Sequence, residues 1–295
     1  MPQSFTQLPP HLWVQQSKLY YTNSGLFLSQ GQACLIDPGI FPDEIEAMVN
    51  FLAAQKATPQ ALLLTHCHWD HILGPEHFPG VKIFAQANYL KVVQEHGQNI
   101  VKQIASWEKE HALERSTPFT IPQPDETFEK TLTLTSCDLS LELIHVPGHA
   151  PDQLAIYHAA SGTLWASDIL SDVEIPFISH GLAPFEQTLA HLSTLELRTL
   201  VPGHGHAAAA AGEIQTRLAE DKAYLATLRE IIARAVRQNK SAAETVALCA
   251  AIPYRFPKDN TGAHQLNVES VYLELGGQAD LQKIGWHKEW DAPAQ

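Results

Sequence analysis

One six-residue stretch, His66-Cys67-His68-Trp69-Asp70-His71, carries four groups that bind divalent cations, in a chain of 295 residues with 16 histidines. Side chains two apart in an extended segment point the same way, so His66 and His68 can grip one ion together. In a helix they would diverge. Asp70 and His71 come after the chain begins to turn and can be aimed at a second ion a few ångströms away. An HxH pair alone is a common accident, whereas HxHxDH after an apolar run is not. Cys67 alternates away from both histidines and reads as a packing residue.

Further donors stand at other strand ends. Val146-Pro147-Gly148-His149 recurs as Val201-Pro202-Gly203-His204, each time closing an apolar run. Proline stops the strand, and glycine permits a tight turn with close backbone approach, so each histidine is held at a sheet edge. Asp168 ends the run Leu164-Trp165-Ala166-Ser167, where an acid could also be a helix cap. Together the donors divide evenly: His66, His68 and His149 on one ion, Asp70, His71 and His204 on the other, and Asp168 bridging them. Two adjacent dications bring the pKa of a shared water from about 15.7 toward neutrality. The expected nucleophile is then a metal-bound hydroxide attacking a carbonyl, with Asp70 as the catalytic proton acceptor.

The elements that must position these groups alternate. Short apolar pieces at Leu12–Val14, Leu19–Tyr21, Leu26–Leu28 and Ala33–Ile36 suggest a strand meander, broken at Asn23-Ser24-Gly25. Asp43 with Glu46 predicts a capping box opening a helix to about Ala57. Ala61–Leu64 reads as a strand buried on both faces, leading into His66. A strand at Val81–Ala85, a helix from about Ala87 to Leu113, four strands between Leu132 and Ala166, and a helix near Pro184–Leu197 follow. From Gly212 the pattern is helical: a long amphipathic helix whose basic residues form a solvated face, a second helix capped by Ser241 and Glu244, and a third over Ala263–Leu275.

Composition narrows the function classes. With 45% hydrophobic and 17% charged residues the chain is globular, and a net charge of -13 disfavours a nucleic-acid partner. Four scattered cysteines, no basic and apolar leader and no long apolar run favour a cytoplasmic protein with no membrane partner. The expected partner is a small-molecule substrate, and a homodimer is compatible with the composition.

The seven donors, in order, resemble the metallo-β-lactamase superfamily over roughly residues 12 to 206. That resemblance implies an α/β fold, an αββα sandwich with a C-terminal helical extension: residues 1–211 as the sandwich and 212–295 as a helical region covering the active site. Asp37, in Leu35-Ile36-Asp37-Pro38-Gly39, matches the family's early aspartate, which supports the metal loop from outside the ligands. The chain departs from the family pattern in two places: it reads Ile72-Leu73-Gly74 where the family often has two glycines after DHx, and Ser167 where glycine often precedes the bridging aspartate. The helical tail is similar to that of glyoxalase II and related thioesterases. The function this implies is hydrolysis of a thioester, or a related ester or lactone, with two divalent ions, zinc first and iron or manganese as alternatives. Arg255 and Lys258 either meet an anionic carrier there or belong to a solvated loop. A mononuclear iron persulfide dioxygenase, whose metal loop also resembles THCHxDH, and a non-catalytic binding member are the competing readings.

Overall fold

A computed structural model describes residues 4–278 apart from 9 and 115–117; residues 279–295 of the expected C-terminal region lie outside the described residues. Strands β1 (Thr6–Leu8), β2 (Leu12–Gln16), β3 (Asn23–Ser29), β4 (Gln32–Ile36), β5 (Thr58–Leu63), β6 (Lys82–Gln86) and β7 (Glu126–Phe128) form one sheet in that order. Helices α1 (Pro42–Ala54) and α2 (Asn88–Glu110) cover its outer face. The near-continuous apolar runs follow from burial on both sides: along β4, Ala33 and Leu35 face the helices, while Cys34 and Ile36 face a second sheet.

That second sheet runs β12-β11-β10-β9-β8, built from β8 (Thr131–Ser136), β9 (Leu139–His145), β10 (Leu154–His158), β11 (Thr163–Ser167) and β12 (Thr199–Pro202). Its outer face is covered by α3 (Leu182–Leu192), α4 (Ala211–Arg237), α5 (Ala242–Cys249) and α6 (Pro257–Glu274), which share one apolar cluster with it. The result is an αββα sandwich with C-terminal helices. The sheets meet so closely that a Cβ on Gly25 would sit 2.6 Å from the Trp165 ring. The parallel strands β5, β11 and β12 all end at one edge, the usual place for a site in an α/β sheet.

Several local expectations are corrected. Leu19–Tyr21 is a tight turn, and Asn23-Ser24-Gly25 lies inside β3, because glycine is required there by the approach of Trp165. The first helix starts at Pro42, a residue suited to a first turn, which places Asp43 inside the helix and leaves Glu46 no capping role. Glu44 instead reaches back to the backbone N–H groups of Ile40 and Phe41. Helix α3 ends at Leu192, and α6 begins six residues before the expected Ala263, again on a proline. The long helix does not present all its cations to solvent: Arg217 is buried, donating to the carbonyls of Leu170 and His206.

Candidate metal centre

Strand β5 runs out at Leu63, and the chain continues without regular structure, bending at Cys67, to a short 3₁₀ turn at Trp69–His71. The Thr65 carbonyl accepts from Leu154 N–H at 2.8 Å, and Gly203 C=O accepts from Asn23 N–H at 2.6 Å. These two bonds tie the sheets together beside the donors. Both twin-turn glycines are demanded by close approach: a Cβ at position 148 would lie 2.6 Å from Phe185, and one at 203 would lie 1.9 Å from Asp168 Oδ1.

All seven expected donors converge in two groups. His66, His68, His149 and Asp168 form one, and Asp70, His71 and His204 the other, with the donor atoms of each group within 4.8 Å of one another. His68 Nδ1 lies 2.9 Å from His66 Nε2 and 3.0 Å from His149 Nε2. Asp168 Oδ2 stands 3.3 Å from the Nε2 atoms of both His149 and His204, and Oδ1 stands 3.4 Å from His71 Nε2. Asp168 thus touches both groups. Asp70 Oδ2 is 3.3 Å from His204 Nε2.

A divalent cation fits this donor set. One ring proton cannot serve three imidazole nitrogens that meet around His68, and His71 Nε2 and Asp168 Oδ1 are sealed from solvent without a hydrogen bond. Burial lowers the imidazoles of His66 and His149, and it brings His68 down to about 3, so all three are neutral nitrogen donors at neutral pH. Burial opposes ionisation of Asp70 and Asp168, yet His71 and His204 prevail, holding Asp70 down to about 2 and Asp168 well below the usual range. Against burial, Asp168 and Asp70 lift His71, while Glu174 and Asp168 lift His204. Buried carboxylates at the centre therefore call for positive charge.

Neighbouring groups fix which ring nitrogen faces inward. Asp37 accepts from Thr65 N–H at 2.9 Å and Thr65 O–H at 2.6 Å, and it pairs with His71 Nδ1 at 3.0 Å. His149 Nδ1 donates to Phe177 C=O at 3.2 Å, and His204 Nδ1 to Tyr20 C=O at 3.1 Å. Each of these bonds turns Nε2 toward the centre. The carbonyl for His204 comes from a turn in which Tyr20 and Tyr21 both have positive φ, 52° and 54°. Non-glycine residues in that region store strain, here spent on aiming an acceptor. Ser167, at the position where the family often has glycine, also has positive φ, 55°. Cys67 points into the core between the first sheet and its helices.

Other contributors carried little sequence signal. Asp152 accepts from Cys67 N–H at 2.8 Å and steadies the metal loop; its only mark was an acid three residues after His149. Glu174 lies 3.9 Å from His204 Nδ1, in a stretch with no periodicity. That stretch is fastened by the tail. Asn260 Nδ2 donates to Val173 C=O, Asn267 Nδ2 donates to Pro176 C=O, and Asn267 Oδ1 accepts from Ile178 N–H. Arg255, expected on a carrier or in a solvated loop, does neither: its guanidinium is tucked against Asp221 at 2.5 Å and donates to the carbonyls of Ser171 and Glu174. Lys258 is exposed. A cavity of about 520 Å³ opens over the donors, floored by His68, Asp70, His149, Asp168 and His204 and walled in part by α6.

Residues 18–204 match the family model described as the metallo-beta-lactamase superfamily. A hydroxyacylglutathione hydrolase of Xanthomonas euvesicatoria is 26% identical over 181 residues, 60% of this chain and 57% of that protein. The chain spans between 41% and 59% of the first curated relatives it matches. Among solved structures, the inverting sec-alkylsulfatase Pisa1 of Pseudomonas sp. superposes with a TM-score of 0.73 at 16% identity, covering 99% of this chain and 55% of that one. The metallo-beta-lactamase family protein TTHA1429 of Thermus thermophilus gives 0.64 at 23% identity, covering 88% and 93%.

Proposed function

The chain belongs to the metallo-β-lactamase superfamily, and on that premise we propose that it is a two-metal hydrolase of a thioester, or of a related ester or lactone, of a small cytoplasmic metabolite. His66, His68 and His149 would hold one ion, Asp70, His71 and His204 the other, and Asp168 would be shared. Two such ions supply Lewis-acid polarisation of the scissile carbonyl and a water of lowered pKa. The imidazole–oxygen donor set suits zinc, with iron and manganese next.

This chain's own groups do the rest. Asp37, Phe177 C=O and Tyr20 C=O hold His71, His149 and His204 with Nε2 inward. Asp70 reaches the cavity floor, where its carboxylate can take up a proton released as the carbonyl is attacked. The observation that carries the reading is the gathering of Asp70, His71 and His204 into a second donor group beside the first, with Asp168 in reach of both, which gives two ions a place to sit. The relative named as a hydroxyacylglutathione hydrolase supports the thioester as the leading bond. Metal quantification with parallel thioester-release and oxygen-uptake assays tests it. Two ions per chain with thioester release are expected; one iron with persulfide-dependent oxygen uptake would replace hydrolysis with oxidation.

A further inference from the structure

The wall of the cavity sorts ligands by charge. Above the donors it presents Trp69, Ile175, Phe177, Ala263 and Leu266, an apolar surface against which an acyl or alkyl chain can lie. Its ionisable wall residues are the acids Glu174 and Asp259, and among the described residues it includes no lysine or arginine. The two arginines behind the 171–178 segment are engaged elsewhere, and Lys258, exposed beside Asp259, does not line the cavity. Arg255 pairs with Asp221 at 2.5 Å, its side chain 12% exposed, and Arg217 pairs with Glu213, its side chain 5% exposed. Both guanidiniums face inward, bound to backbone carbonyls as well, so neither can turn to a carboxylate in the cavity.

We infer that the site selects an electroneutral, apolar-chain ester or thioester and disfavours acyl groups carried on an anionic thiol such as glutathione or coenzyme A. A carrier carboxylate or phosphate lying along this wall would approach Glu174 and Asp259 with no lysine or arginine among the described lining residues to pair with it, and like charges brought together in a partly desolvated cleft are a means of rejecting a ligand. The inference rests on the hydrolase reading for the bond that is cut, while the charge preference belongs to the cavity itself. At about 520 Å³ the space suits a medium-chain acyl group with a small leaving group.

A pair of uncleavable thioethers separates the two claims. S-hexylglutathione and S-hexyl-N-acetylcysteamine share the alkyl chain and differ in the charged part, and calorimetry with zinc-loaded protein reads their dissociation constants without turnover. The neutral ligand is expected to bind at least about tenfold tighter, and Asp259→Lys to narrow that ratio at least about threefold by placing a cation in the wall. Equal binding, or tighter binding of the glutathione thioether, overturns the inference, as does a ratio that Asp259→Lys leaves unchanged. Should the binding order hold while the matching S-hexanoyl thioesters are both left intact, the cavity preference stands and the hydrolase reading falls.

Discussion

The floor of the cavity and its roof are built on opposite principles. The floor is a set of ionisable side chains at strand ends, in which His71, His149 and His204 are each aimed by a hydrogen bond to a neighbour and Asp168 is common to both groups. The roof is a stretch of chain from Ser171 to Ile178 without regular structure, several of whose backbone groups are satisfied by Arg255, Asn260 and Asn267 from the tail. Strand ends give the floor fixed geometry at no further cost, because the sheets already hold the backbone. A loop that crosses a buried region has no such ladder, so its peptide groups must find side-chain partners. Damage to the floor should therefore remove chemistry while leaving the fold, and loss of the tail's hold on the roof should weaken the fold first, reaching the metal donors only through Phe177 C=O, which orients His149.

The largest separation is expected from Asp168→Ala, which removes the one carboxylate in contact with both groups. Turnover should fall by about a thousandfold, the worth of several kcal/mol of metal assistance, with metal content dropping below one ion per chain. Retention of two ions would show that the groups do not depend on a shared ligand. Stripping the metal with a chelator should mimic this loss, and added zinc should reverse it only in the unaltered protein.

Next is the roof. Arg255→Ala leaves the Asp221 carboxylate, itself 2% exposed, without its guanidinium, and the break should cost about 3 kcal/mol in denaturant unfolding while both ions remain. The pH response gives a second readout. Burial pushes Asp221 up from 3.8 to about 7, with Arg255 opposing. A carboxyl raised in the folded state adds stability when protonated, and that contribution is lost as the pH climbs through about 7. Stability should fall from about pH 4 to about pH 7, the fall extending to higher pH in Arg255→Ala, and Asp221→Asn should flatten it in both backgrounds. A loss of metal from Arg255→Ala would break the division between floor and roof.

The smallest effect belongs to the floor's support. Asp37→Asn keeps the shape but not the charge beside His71 Nδ1, and metal affinity should weaken by about 10- to 100-fold. Excess metal should restore the rate with KM unchanged. Failure of metal to rescue it would mean that Asp37 does more than hold the ring.

Legibility in the sequence follows the same division. The donors were readable because metal chemistry restricts residue types, because His66, His68, Asp70 and His71 are contiguous, and because the turns at 146–149 and 201–204 repeat the same four residues. The two-faced apolar strands were readable because burial on both sides imposes composition. The corrected elements share another cause. Gly25 reads as a turn residue in the sequence because its reason is the Trp165 ring from the other sheet, far away in the chain. Arg255 sat in an irregular segment, where only the fold reveals Asp221 and the carbonyls it meets. Interactions between distant segments leave no periodic trace, so the roof emerged only in three dimensions.

The turn at Tyr20 and Tyr21 separates what is seen from what is fixed. Its two residues are 40% and 52% exposed, while their carbonyls steer His204 and hold Gly205 N–H. The Tyr20 hydroxyl lies within the field of Asp70 and His204, so Tyr21 is the side chain at this corner that can be exchanged with least disturbance to the groups that do chemistry. Position 21 is therefore a natural attachment point for a fluorophore or a surface tether, close enough to report on events in the cavity yet mechanically insulated from them by its own main chain.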